Sequence, residues 1–130
     1  MKYIIDKFAD FKIIKITVSG TLNQDMRKEI HSKAVKELNA NDYNKLLIDV
    51  TASKLSKDYT TNDSLDLIKY MNSLETKHHT KIALLSTNKE SAHNNFVELS
   101  KVVGKIYIKN FRNYDEAITW LWGVDKDIFK

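Results

Sequence analysis

Apolar and polar residues alternate with two different periods along the chain, and these periods predict strands and helices. Two apolar runs, Lys2 to Phe8 and Phe11 to Ser19, are joined by Ala9-Asp10 and are typical of a β-hairpin. In the second run the apolar residues from Ile14 to Val18 fall at every second position, so they are predicted to share one face of a strand. Gly20 is expected to end that strand.

Further along, apolar stripes at helical spacing alternate with short apolar strands. The helices are expected over residues 21–38, about 61–76, 87–103 and 113–122, and the intervening strands over 45–51, 81–86 and 105–110. Thr21 and Gln24 fit a capping box at the start of the first helix. Its apolar stripe is Met26, Ile30, Ala34 and Leu38, and this stripe leaves Arg27 and His31 on the polar side.

This order of elements predicts an α/β fold in one domain over residues 1–130, because a helix between two strands makes those strands parallel. Strands covered by helices on both faces are continuously apolar, yet those around Ile14 and Ile106 alternate. We therefore expect a mixed, mostly parallel sheet of about five strands, with an antiparallel N-terminal edge strand and about four helices mainly on one face. The second face should be partly solvated. Its expected apolar content is Ile13, Leu47, Ala83 or Leu85.

Composition excludes several classes of function. The 130 residues include no cysteine, which excludes disulfides and Cys-ligated zinc. They also include no proline. No apolar stretch is long enough to span a membrane, and no export signal is recognisable, so a cytoplasmic protein is expected. The net charge is +4, but the lysines are dispersed, which argues against a nucleic-acid partner. No motif indicates a cofactor.

Three segments give the chain a family resemblance. They are Val18-Ser19-Gly20-Thr21-Leu22, Leu46-Leu47-Ile48-Asp49-Val50 and the tail from Phe111 to Leu121, which contains Glu116-Ala117 and Trp120-Leu121. With the order of elements, they resemble STAS domains, and specifically the SpoIIAA-like branch of that superfamily. The resemblance implies a sheet with helices on one side and a regulatory, protein-binding role.

The resemblance also directs attention to the start of the second helix. Anti-anti-sigma factors of the wider superfamily are switched by phosphorylation of a Ser in an Asp-Ser-Ser-Gly-Leu stretch. Here only Asp63-Ser64-Leu65 matches, and the Ser-Gly pair is missing. Ser64, with Thr60 and Thr61, is thus the candidate phospho-acceptor or partner-contact segment, since a helix N-terminus stabilises a phosphate. Alternatively, Thr61 or Asn62 simply caps the helix.

A second candidate region lies at the carboxyl ends of the strands, where open α/β sheets bind ligands. The polar residues expected there, as anion or ligand contacts, are Thr21, Asp49, Thr51, Ser86 and Arg112. No glycine-rich phosphate motif accompanies them, so caps and turns are the simpler interpretation. Asp49 has no second carboxylate or histidine beside it in the sequence, and it is expected to bond neighbouring backbone N–H groups instead of acting as a catalyst.

A histidine pair and two tryptophans are the remaining notable features of the sequence. His78-His79 point about 100° apart on a helix and do not converge on a metal, so no metal site is expected. Trp120 and Trp122 face different sides of the last helix, so one can cover the core, and the other is expected either to be exposed or to cover a sheet edge.

The sequence thus predicts a module that is not an enzyme and acts by protein–protein binding or self-association. The alternative is a carrier or sensor of a small ligand (lipid, nucleotide or anion), with a pocket between the helices and the strand ends.

Overall fold

The computed structural model describes residues 2–57, 60–74, 80–86 and 107–122, and every structural statement below concerns those residues. They form five strands and three helices. In chain order these are β1 (Lys2–Phe8), β2 (Ile13–Leu22), α1 (Gln24–Asn41), β3 (Lys45–Leu55), α2 (Thr61–Ser73), β4 (Lys81–Leu85), β5 (Tyr107–Phe111) and α3 (Tyr114–Trp122). The helix expected over residues 87–103 and the pair His78-His79 lie outside the described residues.

The strands form one mixed sheet in the order β1-β2-β3-β4-β5. β1 pairs with β2 antiparallel, and the three remaining pairs are parallel. This arrangement confirms the predicted mixed sheet with an antiparallel N-terminal edge strand. The hairpin turn between β1 and β2 contains Lys12 with a φ of 56°, a left-handed conformation that is uncommon for a residue with a Cβ.

The boundary between β2 and α1 differs from the prediction. β2 continues through Leu22, because Thr21 and Leu22 pair with Lys54 and Leu55 of a correspondingly longer β3. The expected capping box at Thr21 is therefore wrong. Asn23 caps α1 instead, and its side-chain oxygen accepts a hydrogen bond from the Met26 N–H at 2.9 Å. A shift in register after Thr17 accompanies the extension of the two strands.

The helices α1 and α2 cover one face of the sheet, which we call the α1/α2 face. Its apolar cluster contains Ile14 and Val18 of β2, with alternate residues of β3 and β4 and Ile108 of β5. Leu38 of α1 and Leu67 of α2 complete it, and both are almost fully buried. Alternation along each strand thus places one set of aliphatic side chains under these two helices.

The opposite face is partly covered by α3, and we call it the α3 face. The four apolar residues expected there, Ile13, Leu47, Ala83 and Leu85, are buried against the Ala117, Trp120 and Leu121 side chains of α3. The rest of this face holds half-buried polar side chains on β2 and β3, and Ile4 of β1, which is 63% exposed. The predicted solvated part of the second face is thus present, but α3 covers the predicted apolar part.

Candidate functional site

Thr60 forms the N-terminal cap of α2, at the start of the predicted phospho-acceptor segment. The Asp63 N–H donates to the Thr60 hydroxyl at 3.2 Å, and the Thr60 N–H donates to the Asp63 carboxylate at 2.9 Å. Thr60 is exposed, whereas the side chain of Ser64 is fully buried one turn later. The N-cap is thus Thr60, and neither Thr61 nor Asn62 holds that position. Of the candidate acceptors, the structure places Thr60 at the surface and Ser64 in the interior.

Contacts from α1 hold the N-terminal half of α2. The Gln24 side-chain amide donates to the backbone oxygen of Asp63 at 2.9 Å and to the Asp66 carboxylate at 3.0 Å. The Lys28 ammonium lies 2.8 Å from the same carboxylate. Hydrogen bonding to Lys28, and then to Gln24, lowers the pKa of Asp66, while the hydrogen bond to Asp66 raises the pKa of Lys28. The surface beside the cap is therefore a polar network that joins two helices.

The predicted strand-end residues are only partly brought together. Thr51 donates to Asp49 through both its N–H, at 3.0 Å, and its hydroxyl, at 2.7 Å. Ser86 is buried, and its N–H donates to the Phe111 oxygen at 2.9 Å. The exposed Arg112 follows β5, which β4 separates from β3, so its backbone lies two strands from Asp49. Thr21 is exposed within the extended part of β2.

Asp49 thus engages a neighbouring backbone N–H, which is the arrangement that its local sequence suggested. Among the residues that the structure describes, no group of three or more His, Cys, Asp or Glu side chains is placed to hold a metal ion. None of the helices in those ranges is both long and apolar enough to cross a membrane.

A buried basic pair under α1 was missed by the sequence analysis. Arg27 and His31, expected on the polar side of α1, are only 5% and 6% exposed. They lie one helical turn apart and line a cavity of about 20 Å³ whose remaining walls are apolar side chains of α1 and the sheet. Burial, with a smaller contribution from the Arg27 charge, lowers the pKa of His31 to about 3. His31 is therefore neutral at pH 7.

The two tryptophans of α3 have different surroundings, as the sequence predicts. Trp120 is 9% exposed, and its ring centroid lies 5.4 Å from those of both Tyr107 and Phe111. The Lys81 ammonium lies 3.8 Å from the Trp120 centroid. Trp122 is 61% exposed and meets Phe11 of the hairpin turn edge to face, with centroids 5.8 Å apart. Phe11 and Trp122 form an exposed aromatic pair, which we call the Phe11–Trp122 patch.

A five-stranded mixed sheet with one antiparallel edge, in which α1 and α2 connect two of the parallel pairs, defines the class of protein. The SpoIIAA-like family matches residues 13–122, which is most of the chain. The chain belongs to the SpoIIAA-like family. No curated protein matches the sequence at a significant level.

Several solved structures share the fold. An uncharacterised protein with a SpoIIAA-like fold from Shewanella loihica is 17% identical, with 92% of each chain covered and a TM-score of 0.58. An anti-sigma factor antagonist from Mycobacterium paratuberculosis is 14% identical, with 92% of each chain covered and a TM-score of 0.57. Unphosphorylated SpoIIAA, an anti-sigma factor antagonist, is 9% identical over 95% of this chain and 100% of its own, with a TM-score of 0.54.

Proposed function

We propose that this chain is a regulatory module that binds another protein and catalyses no reaction, and that it uses the Phe11–Trp122 patch as a contact. The patch is the observation that carries the proposal. Two large aromatic side chains from different elements meet at the surface with 39% and 61% of their areas exposed. Aromatic residues are enriched at protein interfaces, and tryptophan is enriched among the residues that dominate binding energy.

Two further observations support binding over catalysis. The Asp49 carboxylate already accepts two hydrogen bonds from Thr51, which suits a structural group better than a free base. His31 is neutral and buried, so it is poorly placed to exchange protons with a substrate. Two of the proteins that share the fold are anti-sigma factor antagonists, which favours a regulatory role for this chain.

Affinity capture followed by reconstitution tests the proposal. The full chain is used as bait in an extract of the organism that produces it, and the captured protein is identified. The purified captured protein is then titrated against the chain. We expect Trp122→Ser to weaken the dissociation constant by about thirtyfold, because a central aromatic contact contributes roughly 2 kcal/mol. Tyr114→Ser is the matched control, since Tyr114 is an aromatic residue 39% exposed on the same helix. Equal effects of the two variants on affinity would contradict the assignment of the patch.

The cavity under α1 favours a second candidate function, a small-ligand carrier. Arg27 lies in a wall that is otherwise largely apolar, which favours an anion with an apolar body as the ligand. At about 20 Å³ the cavity holds roughly one water molecule, and α1 would have to move to admit more.

A thermal-shift comparison of decanoate with decanol tests this role, since a ligand that binds only the folded state raises the melting temperature. Decanoate should raise it, and Arg27→Met should remove the effect. No shift with decanoate, or an equal shift with decanol, would dispose of this anion-binding carrier.

A further inference from the structure

The outer edge of β1 is the feature that remains without a role. β1 is the first strand of the sheet and has β2 as its neighbour in the described part of the chain. An edge strand presents a row of backbone N–H and C=O groups that a further strand can pair with. Along this edge lie seven residues, and Ile4 near their middle is 63% exposed on the side of the sheet that α3 partly covers.

The side chains of β1 are arranged so that the strand is complementary to itself. Suppose that the β1 strands of two copies of the chain pair antiparallel about a twofold axis perpendicular to the sheet. The two sheets then become one, and residues on the same face of the sheet lie opposite each other. When the axis passes beside Ile4, Ile4 meets its own copy, Lys2 meets Asp6, and Tyr3 meets Ile5. Lys2 and Asp6 are both exposed, so both ion pairs can form on either side of the central isoleucines.

Two other registers lack this match. Centring the axis on Ile5 places Lys2 opposite Phe8 and Ile4 opposite Asp6, and centring it on Asp6 places two carboxylates together. Opposite charges and aromatic–β-branched pairs facing each other across two strands are stabilising, and like charges there are destabilising. Within one chain, Lys2 faces Ser19 on β2, so its charge has no opposite charge facing it across that pair. Asp6 faces Lys15 on β2, so in the paired arrangement its carboxylate lies between two lysines.

We propose that two copies of this chain associate by antiparallel pairing of their β1 edges, centred on Ile4, into one continuous sheet. The occupant of the edge is therefore a second copy, and charge complementarity selects the register. The Phe11–Trp122 patch joins the hairpin turn to α3 and contains no residue of β1, so this inference stands or falls independently of the partner-binding role.

The area of a single strand pair is small, so the association should be weak and reversible. Lysines on an edge strand often prevent aggregation, and the alternative role of Lys2 is such protection. Protection requires the chain to stay monomeric, whereas pairing requires a dimer that depends on both Lys2 and Asp6. The two roles of Lys2 therefore predict different oligomeric states, which can be measured.

Sedimentation equilibrium over increasing protein concentration is the first experiment. We expect the unmodified chain to show a monomer–dimer equilibrium that salt weakens. Lys2→Asp places two carboxylates opposite each other, and Asp6→Lys places two ammonium groups opposite each other, so each variant alone should dimerise at least about tenfold more weakly. An equimolar mixture of the two variants should associate again, because each acidic position then faces a basic one.

Lys109→Asp is the matched control, since Lys109 is an exposed lysine on β5, the strand at the other end of the sheet order. It should leave dimerisation unchanged. Circular dichroism establishes that every variant is folded. A chain that stays monomeric at all concentrations overturns the proposal, as does a mixture of folded charge variants that fails to associate.

The register has its own test, because the chain contains no cysteine. Directly opposed residues of an antiparallel pair have Cα atoms about 4.5–5.5 Å apart, within reach of a disulfide. Ile4→Cys should therefore form a disulfide-linked dimer under mild oxidation, while Asp10→Cys, exposed in the hairpin turn, should do so much more slowly. Equal crosslinking of the two variants would show that the copies meet elsewhere, which also overturns the proposal.

Discussion

The two faces of the sheet are closed in different ways. On the α1/α2 face, the 18-residue α1 and the 13-residue α2 pack aliphatic side chains against aliphatic strands. On the α3 face, a helix of nine residues covers the sheet, and its large Trp120 ring packs beside Phe111 of β5. The short helix compensates for its length with this aromatic side chain, because a tryptophan ring buries more apolar surface than an aliphatic residue. The stability of the α3 face should therefore depend on fewer residues than that of the α1/α2 face.

Replacing Trp120 is the most severe test of this difference. Trp120→Ala should lower the free energy of unfolding by about 4 kcal/mol, since it removes a large buried ring and leaves a cavity between Tyr107 and Phe111. The control is Trp122→Ala, which should change it by less than about 0.5 kcal/mol because Trp122 is mostly exposed. Urea denaturation measures both. Similar losses would mean that Trp120 does not hold the α3 face closed.

Leu46 and Leu47 compare the two faces within one strand. They are adjacent in β3, both are buried, and they point to opposite faces. Leu46→Ala should reduce the free energy of unfolding by about 4 kcal/mol and Leu47→Ala by about 3 kcal/mol. The smaller loss is expected because the short α3 can move towards the cavity, whereas hydrogen bonds between α1 and α2 restrain the other face. Denaturant midpoints of both variants decide the order, and a larger loss for Leu47→Ala would reverse this account.

Acid should reveal the buried histidine of the α1/α2 face. The unfolded chain takes up a proton at His31 near pH 6.5, but the folded chain, with a pKa of about 3, does not. Stability is thus almost unaffected by His31 well above pH 6.5 and falls by about 1.4 kcal/mol per pH unit below that pH towards pH 3. Relative to the unmodified chain, His31→Leu should lose about 2 kcal/mol less between pH 7 and pH 5. Parallel pH profiles of the two proteins would contradict the lowered pKa of His31.

The smallest expected effect concerns the cap of α2. Thr60→Ala removes the hydroxyl that accepts from the Asp63 N–H and should reduce the free energy of unfolding by about 1 kcal/mol. Thr60→Ser keeps a hydroxyl and should retain most of the stability. Thermal unfolding of the three proteins checks this, and an unaffected Thr60→Ala variant would show that the cap contributes little to the α1/α2 face.

Much of this fold was predictable because it depends on local periodicity. The alternation in β2 and the cap at Asn113, whose side chain accepts from the Glu116 N–H at 3.2 Å, are both readable from neighbouring residues. The extension of β3 was not, because the four residues beyond Thr51, which do not alternate with those before them, join the strand by pairing with β2 after a shift in register. The cap of α1 at Asn23 follows from the same long-range pairing.

The candidate site was less predictable than the fold. Arg27 and His31 are polar residues, and helical periodicity alone assigned them to the outer side of α1. Their burial depends on how α1 lies across the sheet, which no local pattern specifies. The Phe11–Trp122 patch likewise joins residues from opposite ends of the chain, although the spacing of the two tryptophans predicted that they face different sides of α3.

The sequential strand order has a consequence for how the chain folds. Every strand lies beside its predecessor in the chain, so each segment that leaves the ribosome can dock onto a partner that has already been made. The β1–β2 hairpin needs only a short loop to close, whereas the parallel β2–β3 and β3–β4 pairs must first close loops that contain α1 and α2. Synthesis from the N-terminus therefore makes the fastest-closing pair first and leaves α3, the cover of the second face, to arrive after the last strand.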